Sequence, residues 1–187
     1  MTRIVAGSAG GRRIAVPPGA STRPTSGRTR EALFNTLATL TDLDGARVLD
    51  LYAGSGAVGL EALSRGAGHA LFVEADPRTG RLVRDNARAL GLAGAAEVRV
   101  ERVPRLVAGP PPGPPYDVIF ADPPYALPDT DLDAVLAGLA RHGWLAAGAV
   151  VVVERASSSA GPMWPMPLNP VRRRRYGDTT LWYGHAP

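Results

Sequence analysis

Asp122, Pro123, Pro124 and Tyr125 stand in immediate succession after the apolar run VIFA at 118–121. Proline carries no backbone N–H, fixes its own φ and confines the residue before it to extended conformations. Asp122 is therefore held extended, and the carbonyl of Pro123 is released from any strand ladder. A carboxylate, a carbonyl and an aromatic ring close behind make a preformed set of acceptors beside a stacking plate. Such a set suits a flat molecule bearing an amino group. The same residue types also end ordinary strands, with the acid opening a turn and the ring covering the core. The four residues alone leave both readings open.

A second stretch, LDLYAGSGAVGLEAL at 49–63, narrows the choice. Gly54, Gly56 and Gly59 satisfy the GxGxxG spacing after an expected strand and before an expected helix, which is the context a nucleotide-binding turn requires. Glu74 ends the next expected strand, where a carboxylate can accept ribose hydroxyls. Asp50 then separates two cofactor classes. A pyrophosphate wants an unopposed helix N-terminus. S-adenosyl-L-methionine carries no phosphate but has a positive sulfonium and an ammonium, so a carboxylate at the first strand's tip attracts it and would repel a pyrophosphate. Asp50, Glu74 and Asp122 are all expected at strand tips on one sheet edge, and together they suit a cationic cofactor.

These residues need a scaffold that delivers several strand ends to one edge. From Arg47 the sequence alternates short Val-rich strands with helical stretches: RVLDLY, a helix at 58–65, HALFVEAD, a helix at 77–90, EVRV, a proline-rich spacer at 109–115, DVIFAD, a helix at 129–141, and AVVVVE. This order predicts an α/β fold, a doubly wound and mostly parallel sheet. Ligands of such sheets sit beyond the carboxyl ends of the strands, at the switch point. Ahead of it, residues 3–16 read as two short strands around a Gly-rich turn, and a helix is expected over 27–40 with Thr25 or Ser26 as its cap. The C-terminal RRRRYGDTTLWYG reads as an antiparallel hairpin closing the sheet edge. We divide the chain into an N-terminal basic hairpin extension, 1–24, and a main domain, 25–187.

Length and composition fit this plan. The 187 residues are 45% hydrophobic and 20% charged, ordinary values for a globular chain. There is no cysteine, and the three histidines lie far apart, so disulfides are excluded and no Cys/His zinc site or other metal is expected. The longest apolar run is too short to span a bilayer and the N-terminus has no signal core, which predicts a cytoplasmic protein. All 21 basic side chains are arginine. Residues 1–31 carry a net +5, residues 170–187 a net +3, and the segment between them a net −4. Basic ends on a mildly acidic body point to a polyanion, most simply nucleic acid. Arg12 and Arg13 belong to the basic N-terminal end. Of the consecutive arginines 172–175, alternation sends two to each face, and Arg173 and Arg175 are taken as the pair reaching RNA. The three tryptophans are expected to pack.

The N-terminal IVAGSAGGRRIAVPPGASTRPTSGRTREALFN, then DLYAGSGAVGLEALSRGA, FVEAD, VIFADPPY and the terminal RRYGDTTLWY, in that order and spacing, resemble the bacterial 16S rRNA (guanine-N2)-methyltransferases of the RsmD type. The resemblance covers nearly the whole chain. DPPY alone is shared with DNA adenine methylases, whereas TRPTSGRTREALFN is far more specific. The resemblance implies a Rossmann-like methyltransferase domain that moves a methyl group from S-adenosyl-L-methionine to N2 of a guanine in 16S rRNA of the small ribosomal subunit, acting as a monomer. It places Asp50, Tyr52, Gly54, Ser55, Gly56, Glu74 and Asp122 at the cofactor, and Asp122, Pro123, Pro124 and Tyr125 at the guanine. Arg23, Thr25, Arg28 and Arg30 would meet either RNA or the cofactor carboxylate. This chain departs from the family pattern in two places. Gly27 stands where the family commonly has Asp, and VERVPRL replaces a segment that tends to offer Asp or Asn to the adenine, leaving Glu101 or the backbone near Val103 to substitute.

Three alternatives follow from the same residues. DPPY also fits an adenine-N6 nucleic-acid methyltransferase. GxGxxG with Glu74 fits an NAD-dependent oxidoreductase, against which stand Asp50, DPPY and the absence of lysine. A non-enzymatic RNA-binding assembly factor would not need DLYAGSG and DPPY intact.

Overall fold

In the computed structural model, residues 2–18 and 27–187 are described. Arg23, Thr25 and Ser26 lie outside them. The elements run β1 (Thr2–Arg3), β2 (Arg13–Ile14), α1 (Gly27–Leu37), β3 (Arg47–Leu51), α2 (Ala57–Ser64), β4 (His69–Glu74), α3 (Pro77–Leu90), β5 (Ala96–Val100), α4 (Val103–Val107), β6 (Tyr116–Ala121), α5 (Asp129–Arg141), β7 (Leu145–Ala156), β8 (Asn169–Tyr176) and β9 (Thr179–His185).

Seven strands form one sheet in the order β5-β4-β3-β6-β7-β9-β8, parallel from β5 through β7 and antiparallel through β9 and β8. The chain winds outward from β3 through β4 to β5, then returns to the other side of β3. That reversal puts the switch point between β3 and β6, where a doubly wound sheet opens a crevice. The expected C-terminal hairpin is present, but its last strand lies inside the sheet and β8 takes the edge.

Alternate side chains face opposite sides of the sheet. Val48, Phe72, Phe120 and Val152 pack under α1, α2 and α3, while Leu49, Leu71, Ile119 and Val151 pack under α4 and α5. Both faces are therefore covered, which is why these strands are apolar throughout rather than alternating.

Local chemistry sets the helix ends. Asp76 caps α3 by accepting the Thr79 N–H at 2.8 Å, Pro77 fills the first turn, and Gly91 ends the helix at φ 75°. Helix α1 stops at Leu37 instead of continuing to residue 40. Its tail is threonine-rich, and the Thr39 hydroxyl donates to the Thr36 carbonyl at 2.7 Å, a local bond that competes with helix continuation.

The N-terminal segment pairs only briefly as a hairpin, Thr2 with Ile14 and Arg3 with Arg13. The loop between the two strands docks on α2. The N–H groups of Val5 and Ala6 donate to the Glu61 carboxylate at 2.7 and 3.0 Å, and Ser8 donates to the Ser64 carbonyl at 2.7 Å. Gly7 passes so close that an added Cβ would lie 1.8 Å from the Ser64 oxygen. Ile4, Ala9 and Ile14 join the core beneath α2.

Candidate active site

A cavity of about 1170 Å³ opens at the carboxyl ends of β3, β4 and β6. Asp50, Tyr52, Gly54, Ser55, Glu74, Val103, Asp122, Pro123, Pro124 and Tyr125 line it. The two stretches singled out in the sequence thus face one space, joined by Val16, Pro17, Arg102, Pro104, Leu127 and Asp131.

The turn after β3 is shaped by two acids. Glu74 accepts the Gly54 N–H at 3.0 Å and the Asp76 N–H at 3.1 Å, fixing the turn against the end of β4. Asp50, 2% exposed, accepts the Gly59 N–H at 2.9 Å. That bond places a carboxylate on a first-turn donor of α2, where a pyrophosphate would have to bind. Burial pushes the Asp50 carboxyl up to about 7; the Gly59 bond opposes this and the charge of Glu74 adds to it. Tyr52 adopts φ 59°, a left-handed conformation costing about 1–3 kcal/mol in a residue with a Cβ. Strain of this kind persists only where the surroundings enforce it.

Gly54 and Gly56 differ in duty. Both have positive φ, 54° and 76°. A Cβ on Gly54 would come no closer to protein than the Tyr52 carbonyl at 4.0 Å, whereas one on Gly56 would lie 2.9 Å from Val83 Cγ1 and 3.3 Å from the Phe72 ring. Gly56 therefore turns toward the core, and the cavity lining does not include it.

Asp122 extends one residue beyond β6, its N–H donating to the Leu51 carbonyl at 3.5 Å. By register, Ala121 lies beside Val153, so Asp122 falls next to Glu154, on the sheet face that also carries Asp50. Glu154 is 3% exposed. Burial first, then the charges of Glu154 and Asp50, hold the Asp122 carboxyl well above the usual range. Tyr125 stands half exposed at the rim, with its hydroxyl 3.1 Å from that of Thr179 in the β8–β9 hairpin.

Several expected contacts fall elsewhere. Arg30 is fully buried and pairs with Glu61 at 3.4 Å, while its guanidinium donates to the Arg3 carbonyl. It holds the N-terminal segment on α2 with no surface left for RNA or cofactor, sharing the buried Glu61 carboxylate with Arg65, which pairs with it at 2.8 Å. Arg12 donates to the Leu90 and Ala89 carbonyls, the last turn of α3, where a cation complements the helix dipole. It too is structural. Glu101 is turned toward Arg105 at 3.3 Å and does not line the cavity. Arg13 and Arg28 are exposed, as are Arg173 and Arg175 on the edge strand. Arg173 lies over the Trp182 ring at 5.1 Å, and Arg175 donates to the Gly177 carbonyl at 3.0 Å.

Two residues outside the sequence motifs, Glu154 and Arg155, also belong to this edge. Arg155 is 5% exposed and donates to the carbonyls of Pro124 at 3.3 Å and Leu127 at 2.9 Å, and to Asp129 Oδ1 at 2.7 Å. The signal was available: four valines followed by an acid and a base at the same sheet edge as DPPY.

The residues present suit S-adenosyl-L-methionine. Asp50 offers a negative charge to the cationic end, Glu74 can accept hydroxyls with lone pairs left over from its two N–H partners, and Gly54 leaves open space. Among the described residues no group of His, Asp or Glu could hold a metal ion, and no helix is long and apolar enough to cross a membrane.

Fold and site together define an S-adenosylmethionine-dependent methyltransferase. The family described as Conserved hypothetical protein 95 matches residues 2–185, and the chain belongs to it, the RsmD-type family its motifs indicated. Ribosomal RNA small subunit methyltransferase D of Escherichia coli is 36% identical over 163 residues, covering 87% of this chain and 79% of that protein. Its namesake in Haemophilus influenzae is 33% identical over 153 residues, covering 81% and 77%. The solved structure of yhhF from Escherichia coli is 32% identical with a TM-score of 0.87, covering 99% of this chain and 97% of that one. An RNA methyltransferase from Salinibacter ruber, solved with S-adenosyl-L-homocysteine, is 19% identical with a TM-score of 0.64, covering 88% and 94%; it agrees in fold.

Proposed function

We propose that this protein transfers a methyl group from S-adenosyl-L-methionine to the exocyclic N2 amine of a guanine in 16S rRNA, in the cytoplasm, as a monomer acting on the small ribosomal subunit or its assembly intermediate. The relatives named for small-subunit rRNA methylation support the RNA class. The observation that carries the reading is the placement of Asp122, Pro123 and Tyr125 on the same cavity as Asp50 and the Gly54 turn.

When bound, S-adenosyl-L-methionine supplies an electrophilic methyl on a sulfonium sulfur. An exocyclic amine is a weak nucleophile because its lone pair is delocalised into the ring. Asp122 and the Pro123 carbonyl accept its two N–H groups and so aim the lone pair. Correct positioning of two reactants supplies much of the catalysis, and neither a metal nor a covalent intermediate is needed. Tyr125, exposed at the rim, stacks on a base turned out of its helix, a contact worth about 1–3 kcal/mol by analogy with other stacked bases. Arg13, Arg28, Arg173 and Arg175 are exposed cations for the RNA backbone.

The test is to incubate the protein with methyl-labelled cofactor and naked small-subunit rRNA, an assembly intermediate or the complete subunit, then digest to nucleosides and identify the product by mass. N2-methylguanosine is expected. Label in N6-methyladenosine would move the protein to the adenine methyltransferases, and binding of NADH in place of S-adenosyl-L-methionine would overturn the reading.

A further inference from the structure

We infer that Arg155 is a positioning residue for methyl transfer: its guanidinium, from beneath, holds the 122–128 loop in the shape that presents the target amine. The inference rests on the reading of Asp122 to Tyr125 as the amine-holding segment.

That loop is poor in its own donors. Pro123, Pro124 and Pro128 have no N–H, so few bonds within the loop can hold its carbonyls. One internal bond closes a turn, from the Leu127 N–H to the Pro124 carbonyl at 2.8 Å. The first turn of α5 holds the Pro128 carbonyl, and Arg155 supplies the bonds to the Pro124 and Leu127 carbonyls between. It stands two residues past Val153, the last β7 residue paired with β6, and so lies under the point where β6 gives way to the loop. One terminal nitrogen donates to the Pro124 carbonyl; the other donates to Leu127 and to Asp129, the first residue of α5. The fork therefore ties both ends of the loop to a strand that is itself paired on both sides. A buried cation is tolerated when charged and polar partners surround it, as Asp129 and two carbonyls do here. The side chain faces α5, away from the face carrying Asp122 and Glu154, so its hydrogen bonds reach the reacting groups only through the loop. Its charge also acts on Asp122, opposing the burial that raises that carboxyl, and Arg155→Lys keeps that charge while removing the fork. Tyr125, one residue past the Pro124 carbonyl, follows any shift of that carbonyl.

The fork meets the three acceptors from two separated nitrogens, whereas an ammonium must present its three N–H groups from one point. Arg155→Ala should lower the single-turnover methyl-transfer rate on small-subunit RNA on the order of tenfold to a hundredfold, the scale of a reactant displaced by about 1 Å. Affinity for S-adenosyl-L-methionine, read by calorimetry, should change by less than about threefold, because Arg155 does not line the cavity. Arg155→Lys should keep the charge and recover little of the rate, and millimolar guanidinium added to Arg155→Ala should recover part of it. Asp129→Asn, which leaves the fork in place with a weaker partner, should show a smaller loss in the same direction and serves if Arg155→Ala does not fold. Wild-type single-turnover rates in Arg155→Ala would overturn the inference. So would a rate loss that guanidinium does not relieve and that parallels equal losses in cofactor affinity and melting temperature. Each rate is taken relative to wild type on whichever base wild type methylates, so an error in the guanine assignment is visible separately.

Discussion

The Asp50 carboxylate at the end of β3 accepts the Gly59 N–H in the first turn of α2 at 2.9 Å, and both groups are buried. Its pKa, raised from 3.8 to about 7, makes binding and stability respond oppositely to pH. Without ligand, the unfolded chain holds fewer protons than the folded one between these values, so stability falls as pH rises from about 4 to about 7 and then levels. A cationic ligand favours the ionised carboxylate. Calorimetry should therefore show affinity for S-adenosyl-L-methionine rising through pH 6–8, by up to about tenfold per unit below the titration point. Asp50→Asn should bind more weakly with a flatter profile. Asp122 titrates in the same direction, so the difference between wild type and Asp50→Asn is the quantity to read.

Asp122 separates two mechanisms. As a hydrogen-bond acceptor it can be replaced by an amide oxygen, so Asp122→Asn should lie much nearer wild type than Asp122→Ala in single-turnover rate. The amine is hardly acidic before attack, and the cationic product nitrogen sheds its proton readily, so no base is required at the moment of transfer. Equal collapse of both variants, with folding and cofactor binding intact, would show that Asp122 removes a proton.

The two turn glycines should fail differently. Gly56→Val forces a β-branched residue to φ 76° and into Val83 and Phe72, so the loss should be chiefly in stability, on the order of a few kcal/mol, read as a lowered melting temperature. Gly54→Val shares the backbone strain, at φ 54°, but meets open space beside the cavity, so it should lose less stability than Gly56→Val and, in addition, cofactor affinity. Calorimetry on variants that still melt cooperatively distinguishes them.

Removing Arg30 from its buried pair with Glu61 should lower stability, measured by denaturant unfolding, by less than about 3–5 kcal/mol, the cost of a fully stranded buried charge, because Arg65 still pairs with Glu61. Arg30→Met leaves the Glu61 carboxylate with Arg65 at 2.8 Å and the Val5 and Ala6 N–H groups. Binding of small-subunit RNA, corrected for the folded fraction, should keep its salt slope, which a phosphate contact would not.

The edge-strand arginines should do the reverse. Replacing Arg173 and Arg175 with Ser should reduce the salt slope of RNA binding by about one unit for each lost phosphate contact and leave cofactor affinity unchanged. An unchanged slope would return them to keeping an exposed sheet edge from pairing with another chain.

Much of this molecule was determined locally. Proline at 123 and 124 dictates an extended exit for Asp122, Asp76-Pro77 and Gly91 bound α3, and the Val-rich strands alternating with helices define a sheet covered on both faces. The strand ends and the acids upon them followed from that alternation, so Asp50, Glu74 and Asp122 could be placed on one edge before any contact was known. Other decisions needed the fold, because they depend on partners far apart in the chain. Arg30 meets Glu61 across 31 positions and Arg155 meets Pro124 across the same distance. An arginine reads alike in sequence whether it serves RNA, caps a helix as Arg12 does, or is locked beneath a loop. Gly56 matches a nucleotide-binding pattern, yet its open side faces Val83, and only the packing of α3 on β4 shows that. Composition distributes charge and hydrophobicity along the chain; the desolvation that turns a buried carboxylate into a near-neutral titrating group, or an arginine into a clamp, comes from tertiary packing alone.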